Sequence, residues 1–266
     1  MIKRLYKLDD EIKDYIYSQP YFNTYIISDI ETFGIETDII NLYIGYEGRN
    51  IKYVLMKYGM SFVLFSEKSD EINLMELSVF FKNFIGDIVI SGKTEIIKRI
   101  SEIFSQPFYY DNYFATLTSD TIICYSNNIL DCNVIKDPSI ESIISIYSQI
   151  EEYKEKYCDK NRAIERIKRN ILNGRYYGVE INNQLVSIAS SSAESKNYAM
   201  ISEVGTLVDY RNKGLSKIEV SQLCNDLFSE SKKTLSIFYN NNIAGKVYNK
   251  IGFEIIGNYA ILKSRL

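Results

Sequence analysis

The stretch LVDYRNKGLS, residues 207–216, combines residue types that can bind a phosphate group. Gly214 permits close approach of a ligand to the backbone, and the small hydroxyl residue Ser216 follows where a helical pattern begins. The first N–H groups of a helix lack intrahelical partners, and the helix dipole favours negative charge there. Arg211 and Lys213 add positive charge. The same residues also fit an ordinary turn before a helix, so both interpretations stand at this point.

A second pattern lies further along the chain, in NNNIAGKVYNKIGFEIIG. It has the spacing N-x-x-A-x-x-x-Y-x-K-x-G-F between Asn241 and Phe253. Together with R-x-x-G-x-S at residues 211–216, this pattern resembles the GCN5-related N-acetyltransferases, the GNAT family. The resemblance covers residues 133–266, and two motifs are more specific than either alone.

The resemblance implies a binding site for acetyl-CoA as co-substrate. In this family, main-chain N–H groups of the loop and helix start bind the pyrophosphate, while the acyl-pantetheine arm lies between two separated strands. The pyrophosphate positions carry over to Arg211, Asn212, Lys213, Gly214, Leu215 and Ser216. The positions beside the arm are Thr206, Leu207, Val208 and Asn241.

The sequence departs from the family pattern at two places. Members often have Pro-Glu-Tyr-Arg before the glycine, whereas this chain has Val-Asp-Tyr-Arg at 208–211. The usual glycine or alanine two places after the first glycine is Ser216. Because serine is small, we expect the loop to retain its affinity for the co-substrate.

Acyl transfer to an amine needs a proton donor for the departing thiolate. Tyr248 occupies the position at which the resemblance places a tyrosine acid, although it also shares a helical face with Ala244 and Ile251 and can be a packing residue. Direct attack by the amine requires no covalent intermediate, so catalysis rests mainly on holding amine and thioester in attack geometry.

The attacking amine must lose a proton, and Glu203 is the predicted general base. It precedes the loop on the same strand, where some members of the family carry a catalytic carboxylate. A solvent-facing or ion-paired structural residue is the equal alternative for Glu203. Glu180 and Glu194 are weaker candidates.

Composition excludes several other chemistries. The chain has no histidine, which excludes Ser-His-Asp and Cys-His nucleophile pairs and HExxH zinc sites. We expect no metal cofactor. The four cysteines are too dispersed for a CxxC pair and predict free thiols: Cys124, Cys132, Cys158 and Cys224.

The charge pattern limits the partners. The formal net charge is −3 and no basic block of five residues occurs, so we expect no nucleic-acid partner. No apolar run approaches the ~20 residues of a membrane helix, and the charged amino terminus does not resemble an export signal. We expect a cytoplasmic monomer or homodimer with no membrane partner, acting on a small-molecule or peptide amine.

The 266 residues predict an α/β (α+β) protein with two domains, 1–130 and 131–266. The second half reads as strand, two helices, three strands, helix, strand, helix and strand, the element order of the GNAT fold. We expect a mixed, mostly antiparallel central sheet flanked by helices. No internal repeat is visible in the sequence.

The first half begins with two helical segments at 8–17 and 21–34, followed by three strands that form a meander. It lacks an R-x-x-G-x-G/A loop. It resembles the amino-terminal halves of two-domain GNAT proteins, in which a degenerate copy of the fold packs on the active one. Such a half is expected to shape the acceptor pocket.

Two rival functions remain beside the acetyltransferase. One is a catalytically silent acyl-CoA-binding or regulatory module, because a fold alone does not guarantee chemistry. The other is a protein-interaction domain in which residues 207–216 form a simple turn.

Overall fold

The computed structural model describes residues 2–126, 132–230 and 234–265. The chain forms two compact units. The first unit comprises Met1–Phe114, Phe238–Asn240 and Ile256–Leu266, and the second comprises Ala115–Ile237 and Asn241–Ile255. The predicted boundary at residue 130 lies outside the described residues, and the division into 1–130 and 131–266 stays a prediction.

The first half of the chain alternates strands and short helices. In order they are β1 (Ile2–Arg4), α1 (Asp10–Tyr17), α2 (Thr24–Phe33), β2 (Ile40–Glu47), β3 (Asn50–Tyr58), β4 (Ser61–Phe65), α3 (Leu74–Phe81), β5 (Asp87–Lys93), α4 (Thr94–Ser101) and β6 (Phe108–Leu117). The predicted meander is confirmed as β2, β3 and β4. The short strand β1 was not predicted, since three residues carry too little pattern.

The second half contains the remaining elements. In order they are β7 (Asn133–Lys136), α5 (Ile140–Gln149), α6 (Glu151–Tyr157), α7 (Lys160–Ile171), β8 (Tyr176–Ile181), β9 (Gln184–Ser192), β10 (Tyr198–Thr206), α8 (Leu215–Ser229), β11 (Thr234–Tyr239), α9 (Asn242–Ile251) and β12 (Glu254–Arg265).

One predicted helix of the second half is two helices. The sequence predicts two helices between the first and second strands of this half, with residues 140–157 as one of them, whereas the structure has three. The structure breaks the helix predicted over 140–157 at Ile150, which is buried and extended at φ −95° and ψ 119° and precedes α6. The break changes the direction of the chain, so that tyrosines of both helices contact β10.

Both units contain a mostly antiparallel sheet, which confirms the predicted fold class. In the first unit β1, β2, β3, β4, β5 and β12 lie side by side in that order, and β6 follows β12; the β4–β5 pair is parallel, and the pairs β1–β2, β2–β3, β3–β4 and β5–β12 are antiparallel. In the second unit the order is β11-β10-β9-β8-β7; the β10–β11 pair is parallel, and the other three pairs among these described strands are antiparallel. A sheet of this kind needs helices on its faces to bury its apolar side chains.

The two halves repeat one order of elements. Each runs strand, helices, three antiparallel strands, helix, parallel strand, helix and strand. The final strand β12 pairs with β5 in the first unit, from Tyr259 opposite Lys93 to Arg265 opposite Asp87. The repeat therefore exists in topology, although the sequence does not show it.

Alternating apolar residues form the core of each unit. In the first unit, Tyr53 and Leu55 of β3 and Phe62 and Leu64 of β4 are buried together with Leu77 of α3. Fully burying side chains of this kind contributes roughly 1.5–3 kcal/mol each.

The core of the second unit lies against α8. The spacing of Val220, Leu223, Cys224, Leu227 and Phe228 predicts one apolar helical face; the first four residues are buried and Phe228 is partly buried. Within residues 2–126, 132–230 and 234–265, no helix is both long and apolar enough to cross a membrane.

Candidate active site

The glycine loop leads directly into α8. Residues 208–210 form a single 3₁₀ turn, and Arg211 then returns to an extended conformation. Asn212 has a left-handed φ of 62°, and Gly214, immediately before the helix, has φ 81°. Glycine adopts this conformation without the steric cost that a Cβ brings. The motif residue is therefore required by the backbone geometry at the helix start.

Five successive N–H groups at the loop have no acceptor in the described part of the chain. They belong to Asn212, Lys213, Gly214, Leu215 and Ser216. No side chain caps α8, and the first described bond of this turn runs from Lys217 N–H to the Gly214 carbonyl, 3.1 Å. These amides and the dipole of the 15-residue helix favour an anionic ligand.

Three cations lie around this loop. Arg211 donates from Nε to the Thr206 carbonyl at 3.1 Å and keeps its side chain 43% exposed. Lys213 Nζ lies 4.9 Å from the ring centre of Tyr210. Lys217, which the sequence analysis did not select, projects from the same turn, with Nζ 3.7 Å from the position of a Cβ built on Gly214.

The strand that leads into the loop is irregular where it passes the end of its parallel partner. The β10–β11 ladder ends at Ile201 opposite Ile237, whereas β10 continues to Thr206. On the other side, the register with β9 shifts between Ser202 and Gly205. Two residues of β10 therefore oppose one residue of β9, which defines a β-bulge. We call residues 203–204 the bulge.

Glu203 lies at the bulge with a left-handed φ of 48°. Its Oε2 accepts a hydrogen bond from the Tyr157 hydroxyl at 2.5 Å, and its Oε1 accepts from Arg166 at 3.3 Å. Lys156 Nζ is 3.9 Å from Oε1, and the Glu203 side chain is 16% exposed. The carboxylate is thus partnered at both oxygens, and its role as general base stays a prediction.

The two weaker base candidates lie elsewhere on the sheet. Glu194 accepts two hydrogen bonds from Arg175, at 2.9 and 2.6 Å, and one from Ser191 at 2.5 Å. Glu180 lies in β8 opposite Asn133, and β9 separates β8 from β10. Neither carboxylate lies on the bulged strand.

Tyr248 lies on α9 and is only 6% exposed. Its ring is 6.0 Å from that of Phe253, in an edge contact. Burial first, then the neighbouring Tyr248 hydroxyl, raises the pKa of Tyr153, whose own hydroxyl bonds the Val204 carbonyl at 3.0 Å. The structure therefore brings Tyr248 into electrostatic range of the bulge that contains Glu203.

The remaining predicted residues lie along this strand and at the start of α9. Thr206 shares a 2.7 Å hydroxyl contact with Ser187, Leu207 is buried, and Val208 is 68% exposed. The Asn241 side chain caps α9 by accepting from Ala244 N–H at 2.7 Å. Among the described residues, no hydrogen bond or ion pair joins Asn241 to the loop.

The aromatic residues around the bulge were not predicted from the sequence. Tyr147, Tyr153 and Tyr157 approach β10 from α5 and α6 and bond Glu203 or Val204. The only sequence signal was the richness of this stretch in tyrosine, which does not distinguish them from the other tyrosines of the chain.

A buried acid lies below the loop. Glu219 of α8 is fully buried; its Oε1 accepts from Ser187 at 2.8 Å, and its Oε2 has no partner. Burial raises the pKa of Glu219 to about 8, against the opposing effect of the Ser187 hydrogen bond. In the described residues, no group of three or more His, Cys, Asp or Glu residues is arranged to hold a metal ion.

An uncapped helix start with unpartnered amides therefore lies directly after a bulged strand. The sequence model of the GNAT acetyltransferase family matches residues 49–262. This match spans most of the chain, so the chain belongs to the GNAT acetyltransferase family, as the two motifs predicted.

Solved structures share the fold at low identity. A GCN5-related N-acetyltransferase from Kribbella flavida has TM-score 0.60 at 12% identity, over 80% of this chain and 86% of its own. A GCN5-related N-acetyltransferase-like protein from Streptococcus suis has TM-score 0.56 at 18% identity, and the match covers 96% of this chain and 97% of its own.

A further solved structure is a tandem GNAT protein from the clavulanic acid biosynthesis pathway. It has TM-score 0.56 at 9% identity, over 100% of this chain and 98% of its own. Its tandem fold agrees with the repeated order of elements in this chain. No curated protein matches the sequence.

Proposed function

We propose that this protein is an acetyl-CoA-dependent N-acetyltransferase that acts on a primary amine of a small molecule or peptide. The observation that carries the proposal is the row of five unpartnered amides before α8, in a chain that belongs to an acetyltransferase family.

The diphosphate of acetyl-CoA is the ligand that fits this row. Its oxygens accept from the N–H groups of residues 212–216, and the Ser216 hydroxyl is a further donor. Arg211 and Lys213 supply the positive charge. The arm then runs along the backbone of residues 206–208, and the exposed Asn241 amide nitrogen can donate to it.

The bulge supplies a donor for the thioester carbonyl. The carbonyl of Glu203 is bonded by Tyr147, and in a trans peptide the next N–H, that of Val204, points the opposite way. A fixed backbone N–H at this position stabilises the oxyanion that develops as the amine attacks. The thioester carbon gains the amine nitrogen and loses the sulfur in a ternary complex.

The proton transfers then involve two side chains. Tyr248 protonates the departing CoA thiolate, and solvent restores its proton. Glu203 accepts the proton of the attacking amine. Tyr157 bonds one oxygen of this carboxylate and Arg166 bonds the other, and each oxygen has a second lone pair that can take the proton.

The experiment begins with acetyl-CoA, a panel of amines and a thiol reagent. The expected result is free thiol that depends on both substrates. Binding of CoA without thiol release across the panel favours the silent acyl-CoA-binding module. No thermal stabilisation by CoA favours the interaction domain, because a ligand at 100 times its Kd stabilises by about 2.7 kcal/mol.

The role of Glu203 is tested by the pH profile of kcat/KM for Glu203→Gln. The loss of a base removes the acid limb of the profile, whereas the loss of a structural ion pair lowers the rate without changing its shape. Arg166→Gln is the matched variant, since it removes the partner and leaves the carboxylate.

The first half of the chain is proposed to be a degenerate copy of the same fold. The repeated order of elements and the fold shared with a tandem GNAT protein support this proposal. A cytoplasmic location likewise remains a proposal.

A further inference from the structure

Two tyrosine hydroxyls bond the two successive carbonyls of the bulge. Tyr147 of α5 donates to the Glu203 carbonyl at 2.6 Å, and Tyr153 of α6 donates to the Val204 carbonyl at 3.0 Å. Successive carbonyls of a regular strand point to opposite sides and bond neighbouring strands. Here side chains replace that ladder, so two helices determine the direction of both peptide planes.

These two planes flank one residue, Val204. The chain has no cis peptide in its described residues, so each bonded carbonyl fixes the N–H of the next residue in the opposite direction. The Tyr147 bond therefore directs the N–H of Val204, and the Tyr153 bond directs that of Gly205. A hydrogen bond to a peptide carbonyl also strengthens its N–H as a donor.

The tyrosine rings are held by close packing. The Tyr147 ring centre lies 5.0 Å from that of Tyr153 and 4.6 Å from that of Tyr157. A Cβ built on Gly205 would lie 2.7 Å from Ile150 Cδ1 and 3.1 Å from Tyr153 Cε2. The missing Cβ at Gly205 therefore leaves room for Ile150 and Tyr153 to pack this closely against the strand.

The hydroxyls stay protonated and can only donate to the carbonyls. Burial raises the pKa of Tyr147 well above its ordinary value, with Glu203 as the next cause. Burial, then Tyr248 and Glu203, raises the pKa of Tyr153. Neither hydroxyl ionises at neutral pH, so their orientation of the bulge does not depend on pH in that range.

We propose that Tyr147 and Tyr153 form a tyrosine clamp, a pair of positioning residues that hold the bulge so that the Val204 N–H faces the thioester carbonyl. The inference rests on the proposed function, since it assigns two residues to the reaction at that site. The clamp acts through the backbone and does not touch the substrate.

The test uses Tyr147→Phe and Tyr153→Phe, which keep the rings and remove the hydroxyls. We expect kcat to fall by about 10-fold or more in each variant, because misdirecting one oxyanion donor removes part of its 10²–10³-fold contribution. The affinity for CoA, which has no acyl carbonyl, is expected to stay within about twofold. Tyr259→Phe is the matched control, since Tyr259 is equally buried and bonds Ser91 in the first unit at 3.1 Å.

A second measurement does not depend on turnover. The carbonyl stretch of bound acetyl-CoA, labelled with ¹³C at the acyl carbon, reports the hydrogen bond directly. In the wild type we expect a shift to lower frequency than in free acetyl-CoA, and in the clamp variants a partial return to the free value. A merely structural role for the tyrosines would leave the stretch unchanged in protein that remains folded.

The outcomes separate the clamp from the proposed function. If the wild type releases thiol and both clamp variants match Tyr259→Phe in kcat and carbonyl stretch, the clamp is overturned and the function stands. If the wild type binds acetyl-CoA without transfer, the function fails and the carbonyl stretch still decides the clamp. Absence of acetyl-CoA binding in the wild type overturns both. If Tyr147→Phe does not fold, Tyr153→Phe with its longer bond carries the test.

Discussion

The corresponding loops of the two units have the same place in the topology and differ in how the following helix begins and in the charges beside it. Each connects the third antiparallel strand to the helix before the parallel strand. In the second unit Gly214 leaves α8 uncapped, whereas in the first unit Asn73 caps α3 by accepting from Glu76 N–H at 3.1 Å. The first unit's loop also carries Asp70 and Glu71, which repel phosphate.

The strands that lead into these two loops also differ: one is irregular and the other is regular. β10 contains the bulge, whereas β4 pairs with β3 in unbroken register from Ser61 opposite Tyr58 to Phe65 opposite Val54. A regular ladder uses its amides within the sheet, and a bulge releases one. The proposed site therefore depends on local departures from regular structure, the bulge and the uncapped helix start, and not on the topology that both units share.

The largest expected effect comes from making the second loop acidic. Ser216→Asp places a negative charge in the first turn of α8, where the proposed diphosphate binds. We expect CoA affinity to fall by about 10³-fold, since like charges in contact cost several kcal/mol. Without ligand, the free energy of unfolding should rise by about 0.3–1 kcal/mol, because an acid suits a helix start.

The matched control is Met75→Asp at the same position of α3. Met75 is 80% exposed, and the first unit has no proposed diphosphate site. Calorimetric titration with CoA should give the wild-type Kd for this variant. Equal Kd values for Ser216→Asp and the wild type would contradict the assignment of the loop.

The next effect concerns Glu219, the only acidic or basic side chain buried in the described residues. Between the unfolded pKa near 4.5 and the folded pKa of about 8, the native state holds a proton that the unfolded state has lost. The free energy of unfolding therefore falls as pH rises through this window, by about 1.4 kcal/mol per unit.

Glu219→Gln removes this slope. From about pH 5.5 to about pH 7.5, urea unfolding should show the wild type losing about 3 kcal/mol relative to the variant. Glu165→Gln, whose parent side chain is 75% exposed, should keep the wild-type slope. Parallel curves for wild type and Glu219→Gln would show that this carboxyl does not titrate in the window.

A smaller effect is expected at the proposed acid. Tyr248→Phe should lower kcat by ~10² or less and leave acetyl-CoA affinity nearly unchanged, because the hydroxyl acts only as the thiolate leaves. Steady-state kinetics and calorimetry give the two values. Tyr177→Phe removes another buried hydroxyl of the second unit, bonded to Asp226, and should keep wild-type kcat. Unchanged turnover in Tyr248→Phe would exclude this tyrosine from the mechanism.

The smallest expected effect is on acetyl-CoA affinity, and it distinguishes the two asparagines that cap helices, Asn73 and Asn241. Asn73→Ala should cost about 1 kcal/mol of unfolding free energy and leave acetyl-CoA affinity unchanged. Asn241→Ala should cost a similar amount and weaken acetyl-CoA binding by about threefold to tenfold, through the loss of one neutral hydrogen bond. Chemical denaturation and calorimetry test both. Equal affinities in the two variants would remove Asn241 from the proposed binding site.

The sequence predicted the parts of the fold and site that local patterns encode. Helical spacing located α8, and the motif around Gly214 identified the loop that the structure places before it. The position of Tyr248 on a buried helical face was also correct. These features depend on residues that are neighbours in the chain.

The parts that were missed depend on contacts between distant residues. Tyr147 is 56 residues from Glu203 in the chain, and Tyr153 is 51 residues from Val204. The sequence near either tyrosine does not specify these contacts. The spacing of apolar residues around Ile150 favours one continuous helix. The helix ends there because the Ile150 side chain is buried in the core of the second unit. The hydrogen-bond partners of Glu203 were missed for the same reason, because they reach it from helices that are distant in the sequence.

The pairing of β12 with β5 has a consequence for synthesis. The strand β12, which pairs with β5 of the first unit, follows all the other elements of the second half in the chain. During translation the edge of β5 that pairs with β12 stays unpaired until the second half has been synthesised, so the first unit cannot reach its final pairing before then. A fragment cut between the two halves would leave the first unit without the strand that pairs with β5.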